Sequence, residues 1–257
     1  MELGEYRKNF FAAYETNGYV LLKGMLKSDM AIRLRNYIEE QFSEESEKKP
    51  YDIINDAAIG SIKLDVFNRF HEIYRQVFFE TSLIFHLKLL LGNDLVIIPE
   101  TGIHKNSFGP WHKDVRMHQN AGLTFHWEED FHIVTVALYF QPNTAEYGGG
   151  LEVIPQSHKI RFPQYPPDIN GEHVASEPGD VVIFNHNLDH KASWPSREVP
   201  HKNTKYSLFI CASKNNSHAE KYLAYLKTRP VYGWMHGYTY PDDLCRHAMR
   251  EGYALAR

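Results

Sequence analysis

The chain carries a histidine and an aspartate two residues apart, at His112 and Asp114. In an extended backbone such a pair projects from the same side, so one imidazole and one carboxylate would converge. Two histidines and one carboxylate form the facial triad that holds Fe(II) and leaves coordination positions open for a cosubstrate and oxygen. His112 and Asp114 therefore supply two of three ligands if a second histidine comes from a distant strand.

Two candidate histidines follow a short apolar segment later in the chain. Residues 181–184 are apolar at every position, which is typical of a strand buried on both faces. The Pro-Gly-Asp sequence of residues 178–180 predicts a turn before this strand, and His186 and His190 come after it. Either histidine could complete the triad, and the residue pattern alone leaves both open.

The composition suits a globular enzyme with a histidine-rich site. Of 257 residues, 43% are hydrophobic and 23% are charged, values that argue against disorder and coiled coils. The chain contains 15 His, 16 Tyr, 15 Phe and 4 Trp, which favours a metal centre in an apolar pocket for a small molecule. Cys211 and Cys245 are too few for a disulfide framework.

Charge and hydropathy indicate which partners to expect. The net charge of −4 provides no general basic field for phosphate, so nucleic acid is not an expected partner. No apolar run approaches the ~18 residues of a membrane span, and the opening MELGEYRKNF lacks the apolar region of a secretory signal. We therefore expect a cytoplasmic protein that acts on a small molecule and has no membrane partner.

Hydrophobic periodicity divides the chain into a helical part at about 1–92, a strand-rich part at about 93–213 and a helical extension at about 214–257. No repeat or linker separates these parts, so a single domain is predicted. The polar stretch 43–50 is predicted to be a loop. Helices are predicted at 5–16, from 28 onward, and at 67–91, 218–227 and 242–254. Strands are predicted at 19–22, 95–98, 133–140, 151–154, 181–184 and 206–211.

Two further stretches complete a recognisable set of motifs. Residues 148–159 read GGGLEVIPQSHK, and residues 18–24 read GYVLLKG before the second helix. Together with the His-x-Asp pair and the strand after the Pro-Gly-Asp turn, they resemble the phytanoyl-CoA dioxygenase family over roughly residues 10–212. The resemblance implies a mainly β protein with flanking helices (α+β) and a double-stranded β-helix core of the jelly-roll, cupin-like type.

The same resemblance implies Fe(II) as the metal, 2-oxoglutarate as the cosubstrate and O2 as the oxidant. In that family the distal metal histidine follows the Gly-Asp turn by an interval that here reaches His190. The resemblance therefore implies His112, Asp114 and His190 as metal ligands and catalytic residues, with His186 as a neighbour.

The cosubstrate needs a cation for its distal carboxylate, because a buried anion must be paired. Most relatives place an arginine on the strand beyond the distal histidine, whereas this chain has Lys205. Ser207 would lie on the same face and could add a hydrogen bond, and Arg197 is a rival cation from the preceding loop. Because lysine is a point charge without a bidentate fork, it defines the cosubstrate pose less sharply than arginine does. Thr135, on the next core strand, is also expected near the cosubstrate.

In the family the loop after His-x-Asp lies over the metal, so nearby polar residues could contact the substrate or form only a polar rim. The candidates for substrate contact are His104, Lys105, Arg116, His118, His126 and Trp127.

The resemblance implies a dioxygenase that hydroxylates an unactivated C–H bond of a small metabolite or natural-product intermediate and releases succinate and CO2. Halogenating relatives lack the carboxylate that Asp114 provides, so hydroxylation is favoured over halogenation, while desaturation or ring closure would use the same ligands. The alternatives are a protein hydroxylase or demethylase, a non-oxidative cupin-like metalloenzyme, and a binding protein on the same fold.

Overall fold

A computed structural model of the protein describes residues 3–43, 53–54, 57–58, 60–144, 149–161, 169–193 and 204–257. These residues form eight α-helices and twelve β-strands, together with short 3₁₀ turns. The helices are α1 (Leu3–Asn17), α2 (Ser28–Gln41), α3 (Val66–Arg69), α4 (His71–Phe79), α5 (Leu83–Leu91), α6 (Arg116–Asn120), α7 (Ser217–Thr228) and α8 (Asp242–Glu251). The strands are β1 (Tyr19–Leu22), β2 (Ile53–Ile54), β3 (Ala57–Ala58), β4 (Ile62–Leu64), β5 (Leu95–Lys105), β6 (Ile133–Tyr139), β7 (Leu151–Val153), β8 (Glu172–His173), β9 (Val181–Asn185), β10 (His190–Ala192), β11 (Tyr206–Lys214) and β12 (Ala254–Leu255).

The larger sheet runs in the order β1-β9-β6-β11-β5-β12, with β4 pairing on β5. All of these pairs are antiparallel except β12 with β5. Its central strand β6 is buried at all seven positions. Val134, Val136 and Leu138 belong to one apolar cluster, and Ala137 and Tyr139 belong to another, because successive side chains project to opposite faces. The sheet is therefore covered on both sides.

A smaller sheet, in the order β10-β7-β8, faces the larger one. Leu151 and Val153 from β7 share an apolar cluster with Val182 and Phe184 from β9 and with Tyr139 from β6. The strand predicted at 181–184 is confirmed as buried on both faces, since Val181 and Ile183 belong to the outer cluster. The space between the two sheets is the part of the fold that can hold a site.

The helical part covers the outer face of the larger sheet. The stripe Ala31, Leu34 and Ile38 on α2 is fully buried, at the spacing expected of one helix face. Ile73 on α4 and Leu87 on α5 are buried in the same cluster as the outward side chains of β6 and β9. Burying each leucine or isoleucine stabilises the fold by roughly 1.5–3 kcal/mol, so the helices and the sheet stabilise one another.

The turn at residues 178–180 is held in the way its sequence predicts. Gly179 has a φ of +96°, and a Cβ added there would lie 2.5 Å from the carbonyl oxygen of Leu26. The Asp180 carboxylate accepts from the backbone N–H of Gly24 at 2.7 Å and of Glu177 at 2.9 Å. These bonds tie the start of β9 to the loop after β1.

Two sequence predictions need correction. The helical region predicted at 67–91 is three helices, interrupted at Phe70 and again between α4 and α5. The strand predicted at 95–98 continues to Lys105, because Pro99 lies in a bulge instead of ending the strand. Cys211 pairs with Ile98 and Ile210 with Thr101, which leaves Pro99 and Glu100 without partners in β11.

The other predicted helices and core strands are confirmed to within a few residues. Most of the loop predicted at 43–50 lies outside the described residues. Across the ranges that the structure describes, every helix is too short or too polar to cross a bilayer.

Candidate active site

Backbone hydrogen bonds bring the two predicted histidine ligands together. The N–H of His112 donates to the carbonyl oxygen of His190 at 2.9 Å, and the N–H of His190 donates to that of His112, also at 2.9 Å. The two residues form an isolated antiparallel bridge, so His190 at the start of β10 is paired with both Val153 of β7 and His112. His112 and His190 are 78 positions apart in the sequence, yet this bridge makes them direct neighbours.

The ligand atoms of His112, Asp114 and His190 face one another. Asp114 Oδ1 lies 3.9 Å from His112 Nε2 and 3.6 Å from His190 Nε2. One ligand atom from each residue lies within 4.8 Å of the others. Two ligand atoms that each keep about 2.0–2.2 Å from one divalent ion can be at most about 4.4 Å apart. The two measured separations are therefore compatible with a shared ion.

Hydrogen bonds on the far side of each ring set the tautomer that a metal requires. His112 Nδ1 lies 2.9 Å from the carbonyl oxygen of Pro110, and His190 Nδ1 lies 3.0 Å from that of Leu188. Only a protonated nitrogen can donate to a carbonyl, so each Nε2 keeps a lone pair directed at the site. Burial, together with the neighbouring His112, lowers the pKa of His190 to about 4, so this imidazole is neutral at pH 7, as a metal ligand must be.

The carboxylate of Asp114 is oriented by its second oxygen. Thr135 donates its hydroxyl to Asp114 Oδ2 at 2.9 Å, and His186 Nε2 lies 3.8 Å from the same oxygen. Burial acts to raise the pKa of Asp114, but the imidazoles of His190 and His186 and the Thr135 hydroxyl outweigh it, so this pKa lies below its usual value. The carboxyl is ionised, and Oδ1 is left for the metal. Thr135, predicted near the cosubstrate, thus contacts a predicted ligand.

A buried ion pair joins the two ligand-bearing segments. Lys113 Nζ lies 2.7 Å from Asp189 Oδ2, with side chains 5% and 8% exposed. The ammonium also donates to the carbonyl oxygens of Ser157 and Asn187. Lys113 lies between two ligands and Asp189 precedes the third, so this pair fixes one segment against the other. Sequence reasoning missed it, although a lysine inside His-x-Asp and an acid beside His190 were available signals.

We expect Lys113→Met to weaken Mn(II) binding by about 10- to 100-fold, the usual effect of losing a group that orients ligands. The change leaves the Asp189 carboxylate buried and unpaired, which should also destabilise the fold by about 3–5 kcal/mol. Calorimetric titration and thermal unfolding measure the two effects.

Lys191→Met is the matched control for Lys113→Met, because Lys191 pairs with Glu152 at 3.1 Å with both side chains more exposed. Lys191→Met should change neither the affinity for Mn(II) nor the stability of the fold appreciably. If Lys113→Met bound Mn(II) as the wild type does, a positioning role for the ion pair would be excluded.

The predicted cosubstrate cation is buried immediately before the start of β11. Lys205 is 3% exposed, and its Nζ donates to the carbonyl oxygen of Ser107 at 2.6 Å. The rings of Phe108 and Tyr139 have their centroids 5.1 and 5.9 Å from Nζ. Burial lowers the pKa of Lys205 to about 7. Ser207, fully buried, has no hydrogen-bond partner for Oγ among the described residues. Both groups could therefore bind an anion.

The strand register separates the two neighbouring substrate candidates on β5. His104 pairs with Ser207, so both side chains lie on the inner face, and the His104 ring packs against Phe209 with centroids 4.8 Å apart. Burial and the nearby Lys205 lower the pKa of His104 to about 3. Lys105 projects to the opposite face, with Nζ 5.7 Å from the ring centroid of Phe42. The prediction that Lys105 contacts the substrate is therefore withdrawn.

The remaining predicted residues are placed as follows. Arg116 is exposed at the start of α6, and the half-buried Trp127 ring has Lys113 Nζ 5.8 Å from its centroid. Arg197 lies outside the described residues.

Comparison with known families bears on this arrangement of ligands. Residues 14–194, well over half of the chain, match the phytanoyl-CoA dioxygenase (PhyH) family. The chain belongs to this family. The resemblance predicted from the sequence motifs is thus confirmed, and the family is one of Fe(II)/2-oxoglutarate-dependent oxygenases. No curated protein matches the chain significantly.

Solved structures resemble the fold of this phytanoyl-CoA dioxygenase family member. SnoN, a non-haem α-ketoglutarate-dependent epimerase of nogalamycin biosynthesis, is 14% identical with a TM-score of 0.61, over 82% of this chain and 84% of SnoN. SnoK, a carbocyclase of the same kind and origin, is 14% identical with a TM-score of 0.59, over 80% and 83%. HygX from Streptomyces hygroscopicus, solved with nickel, 2-oxoglutarate and hygromycin B, is 12% identical with a TM-score of 0.59, over 80% and 86%. Because the sequence identities are low, this likeness bears on the fold alone, and it confirms the predicted double-stranded β-helix.

Beside the ligands, this family member buries a second group of polar rings. His118 and His126 are almost fully buried, and the ring centroid of Tyr222 on α7 lies 4.9 Å from that of His118 and 5.5 Å from that of His186. Burial lowers the pKa of His118 to about 3 and that of His126 to about 4. Within the described chain, His118 Nδ1 and both ring nitrogens of His126 lack hydrogen-bond partners. These neutral rings can both donate to and accept from a polar ligand.

Proposed function

We propose that the protein is an Fe(II)- and 2-oxoglutarate-dependent dioxygenase that hydroxylates an unactivated C–H bond of a small metabolite or natural-product intermediate, with release of succinate and CO2. The observation that carries this proposal is the convergence of His112 Nε2, His190 Nε2 and Asp114 Oδ1. Two imidazoles and one ionised carboxylate are the donor set that suits Fe(II) with open positions. Membership of the phytanoyl-CoA dioxygenase family supports the same chemistry.

Iron bound by these ligands would supply oxygen activation, coupled to decarboxylation of the cosubstrate. The chain's own residues provide the placement. Thr135 keeps Asp114 Oδ1 turned toward His112 and His190, because its hydroxyl engages Oδ2. The ring of Phe184 lies 4.7 Å from that of His190 and helps to exclude water from the ligand side.

Lys205 and Ser207 would bind the distal carboxylate of 2-oxoglutarate. A Cβ at Gly149 would lie 3.3 Å from Lys205 Cδ, and the Gly149 N–H donates to the carbonyl oxygen of Ser193. Ser193 is three residues beyond His190, about 10 Å along an extended chain. Through Gly149 and Ser193, the buried Lys205 side chain is thus linked to the segment that begins at His190. The unpartnered Ser207 Oγ supports the assignment.

The substrate would approach from the side of His118, His126 and Tyr222. These rings flank Asp114 through His186, and those of His118 and His126 carry unpartnered nitrogens that a bound molecule could satisfy. The surroundings are neutral and aromatic, which suits a compact, hydroxylated molecule better than a strongly anionic one. HygX, solved with hygromycin B, and SnoN, solved with a nogalamycin compound, supply precedents for natural products on this fold.

Epimerisation or ring closure is a second candidate reaction. SnoN is an epimerase and SnoK a carbocyclase, and both have this fold. The same ligands and cosubstrate would serve either reaction. The products of the three reactions differ in mass. Hydroxylation adds one oxygen atom, ring closure removes two hydrogen atoms, and epimerisation leaves the mass of the substrate unchanged.

The proposed function is tested by incubating the anaerobically purified protein with Fe(II), 2-oxoglutarate, oxygen and a metabolite library. We expect succinate release to rise above its background with a small subset of compounds, and each product to gain one oxygen atom. A protein that neither binds Fe(II) nor releases succinate under any of these conditions would contradict the proposal. Succinate release that requires a polypeptide substrate would favour the protein hydroxylase alternative.

A further inference from the structure

A line of oxidisable side chains leads away from the candidate metal centre. It begins at Tyr222, whose ring lies beside His186, the neighbour of Asp114 Oδ2. The hydroxyl of Tyr222 donates to Glu100 Oε2. Tyr232 packs against the apolar cluster that contains Tyr222, and burial together with the charge of Glu100 raises the pKa of Tyr232. One apolar cluster thus holds a tyrosine beside the metal ligands and a second tyrosine further out, and the charge of Glu100 acts on both.

From Tyr232 the line continues through stacked rings to the surface. The ring centroids of Tyr232 and Trp234 are 6.4 Å apart, and those of Trp234 and Tyr238 are 5.3 Å apart. Tyr232, Trp234 and Tyr238 are all half-buried, so the outer members meet solvent while Tyr222 is buried. Apart from cysteine, tyrosine and tryptophan are the protein side chains most readily oxidised by one electron.

Each tyrosine in this line has a base for its proton. A tyrosine that loses an electron also releases its phenolic proton, and burial raises the pKa of Tyr222, Tyr232 and Tyr238, so all three are protonated beforehand. Glu100 can accept the proton of Tyr222 or Tyr232. Asp65 Oδ1 accepts the hydrogen bond of Tyr238 at 2.6 Å. The Glu100 side chain reaches this position because residues 99 and 100 form the bulge in β5.

We propose that Tyr222, Tyr232, Trp234 and Tyr238 form a protective redox path that carries an oxidising equivalent from the metal centre to the surface when oxygen is activated without a productive substrate. This inference rests on the proposed function, which supplies the oxidant as oxygen-activated iron. It adds an activity to the fold outside the hydroxylation reaction.

The electrons and protons of the path balance. Tyr222 gives one electron to the metal centre and its phenolic proton to Glu100. Tyr232, Trp234 and Tyr238 each pass one electron inward in turn. Tyr222 then recovers its proton from Glu100, Tyr232 and Trp234 are each re-reduced by the next member, and Tyr238, the last to be oxidised, passes its proton to Asp65. A thiol or ascorbate in solution then gives one electron to Tyr238, whose proton returns from Asp65. Each passage reduces the metal centre by one electron and oxidises the external reductant by one.

The test uses the full chain with Fe(II), 2-oxoglutarate and oxygen but no substrate, and compares the wild type with Trp234→Phe. Freeze-quenched samples are examined by electron paramagnetic resonance for an aromatic radical, and peptide mass spectrometry locates oxidised residues. We expect oxidation of the wild type at Tyr232, Trp234 and Tyr238, suppressed by ascorbate. In Trp234→Phe the oxidation should shift several-fold toward Tyr222 and His186, and ascorbate should no longer suppress it.

Tyr253→Phe is the control, since Tyr253 hydrogen-bonds His247 outside the path, and it should give the wild-type pattern. Succinate is measured in the same samples. Release of succinate with the same oxidation map in wild type and Trp234→Phe, or with oxidation confined to Cys211, would overturn the path but keep the proposed function. Absence of Fe(II)-dependent succinate would overturn both. Thermal unfolding verifies that each variant is folded.

Discussion

Asp114→Ala is expected to reduce succinate production with the true substrate by more than about 100-fold, because losing a direct ligand costs at least as much as losing a group that only orients one. Asp114 Oδ1 is the atom that faces both His112 Nε2 and His190 Nε2, at 3.9 and 3.6 Å. Without it, only the two imidazole ligands remain, and neither supplies a negative charge to offset that of Fe(II). Titration with Fe(II) under anaerobic conditions and assay of succinate measure the two losses.

A second variant separates ligation from structure. Asp114→Asn keeps the size of the side chain and an oxygen for the Thr135 hydroxyl, so it should fold as the wild type does yet still bind Fe(II) poorly. Asp130→Ala is a matched control for charge removal, because that side chain is 72% exposed on the surface, and it should retain full activity. Full activity in Asp114→Ala would exclude the triad as the metal site.

The parts of the site that could be predicted from sequence are those that depend on short spacing. His112 and Asp114 are two residues apart, and so are Lys205, which immediately precedes β11, and Ser207 within it. A period of two needs only an extended backbone to bring such pairs together. His190 could be chosen over His186 only through family resemblance. The position of His190 opposite His112 is set by a backbone bridge between residues 78 positions apart. No local sequence pattern encodes a pairing of that range.

Other parts of the site depend on tertiary pairing that spacing cannot reveal. Glu100 reaches the interior only because Pro99 sits in a bulge, whereas the sequence suggested that the strand ends before it. Tyr222 belongs to α7, which was predicted as a helix, but nothing in its periodicity indicates that one face packs on His118. His104 and Lys105 were both predicted near the mouth of the site from the family layout, but the alternation of β5 places their side chains on opposite faces.

Lys205→Ala is expected to raise the apparent KM for 2-oxoglutarate by about 10- to 100-fold, with little change in Fe(II) affinity. A hydrogen bond to a charged group contributes about 1.5–3 kcal/mol, which corresponds to that range. Lys105→Ala is the matched control, since Lys105 is a lysine on the adjacent strand that points to the outer face near Phe42. An unchanged requirement in Lys205→Ala would point to another cation, such as Arg197.

The pH dependence of cosubstrate binding gives an independent check on Lys205. Burial lowers the pKa of this lysine to about 7, so in the free enzyme the ammonium predominates below that pH and is lost above it. A bound carboxylate favours the charged form and raises the pKa in the complex. The apparent KM for 2-oxoglutarate should therefore rise as pH increases from 6 to 9, while kcat at saturating cosubstrate changes less. Lys205→Arg keeps its charge across this range, so its KM should stay flat, and a wild-type KM independent of pH would contradict the assignment of Lys205 as the cosubstrate cation.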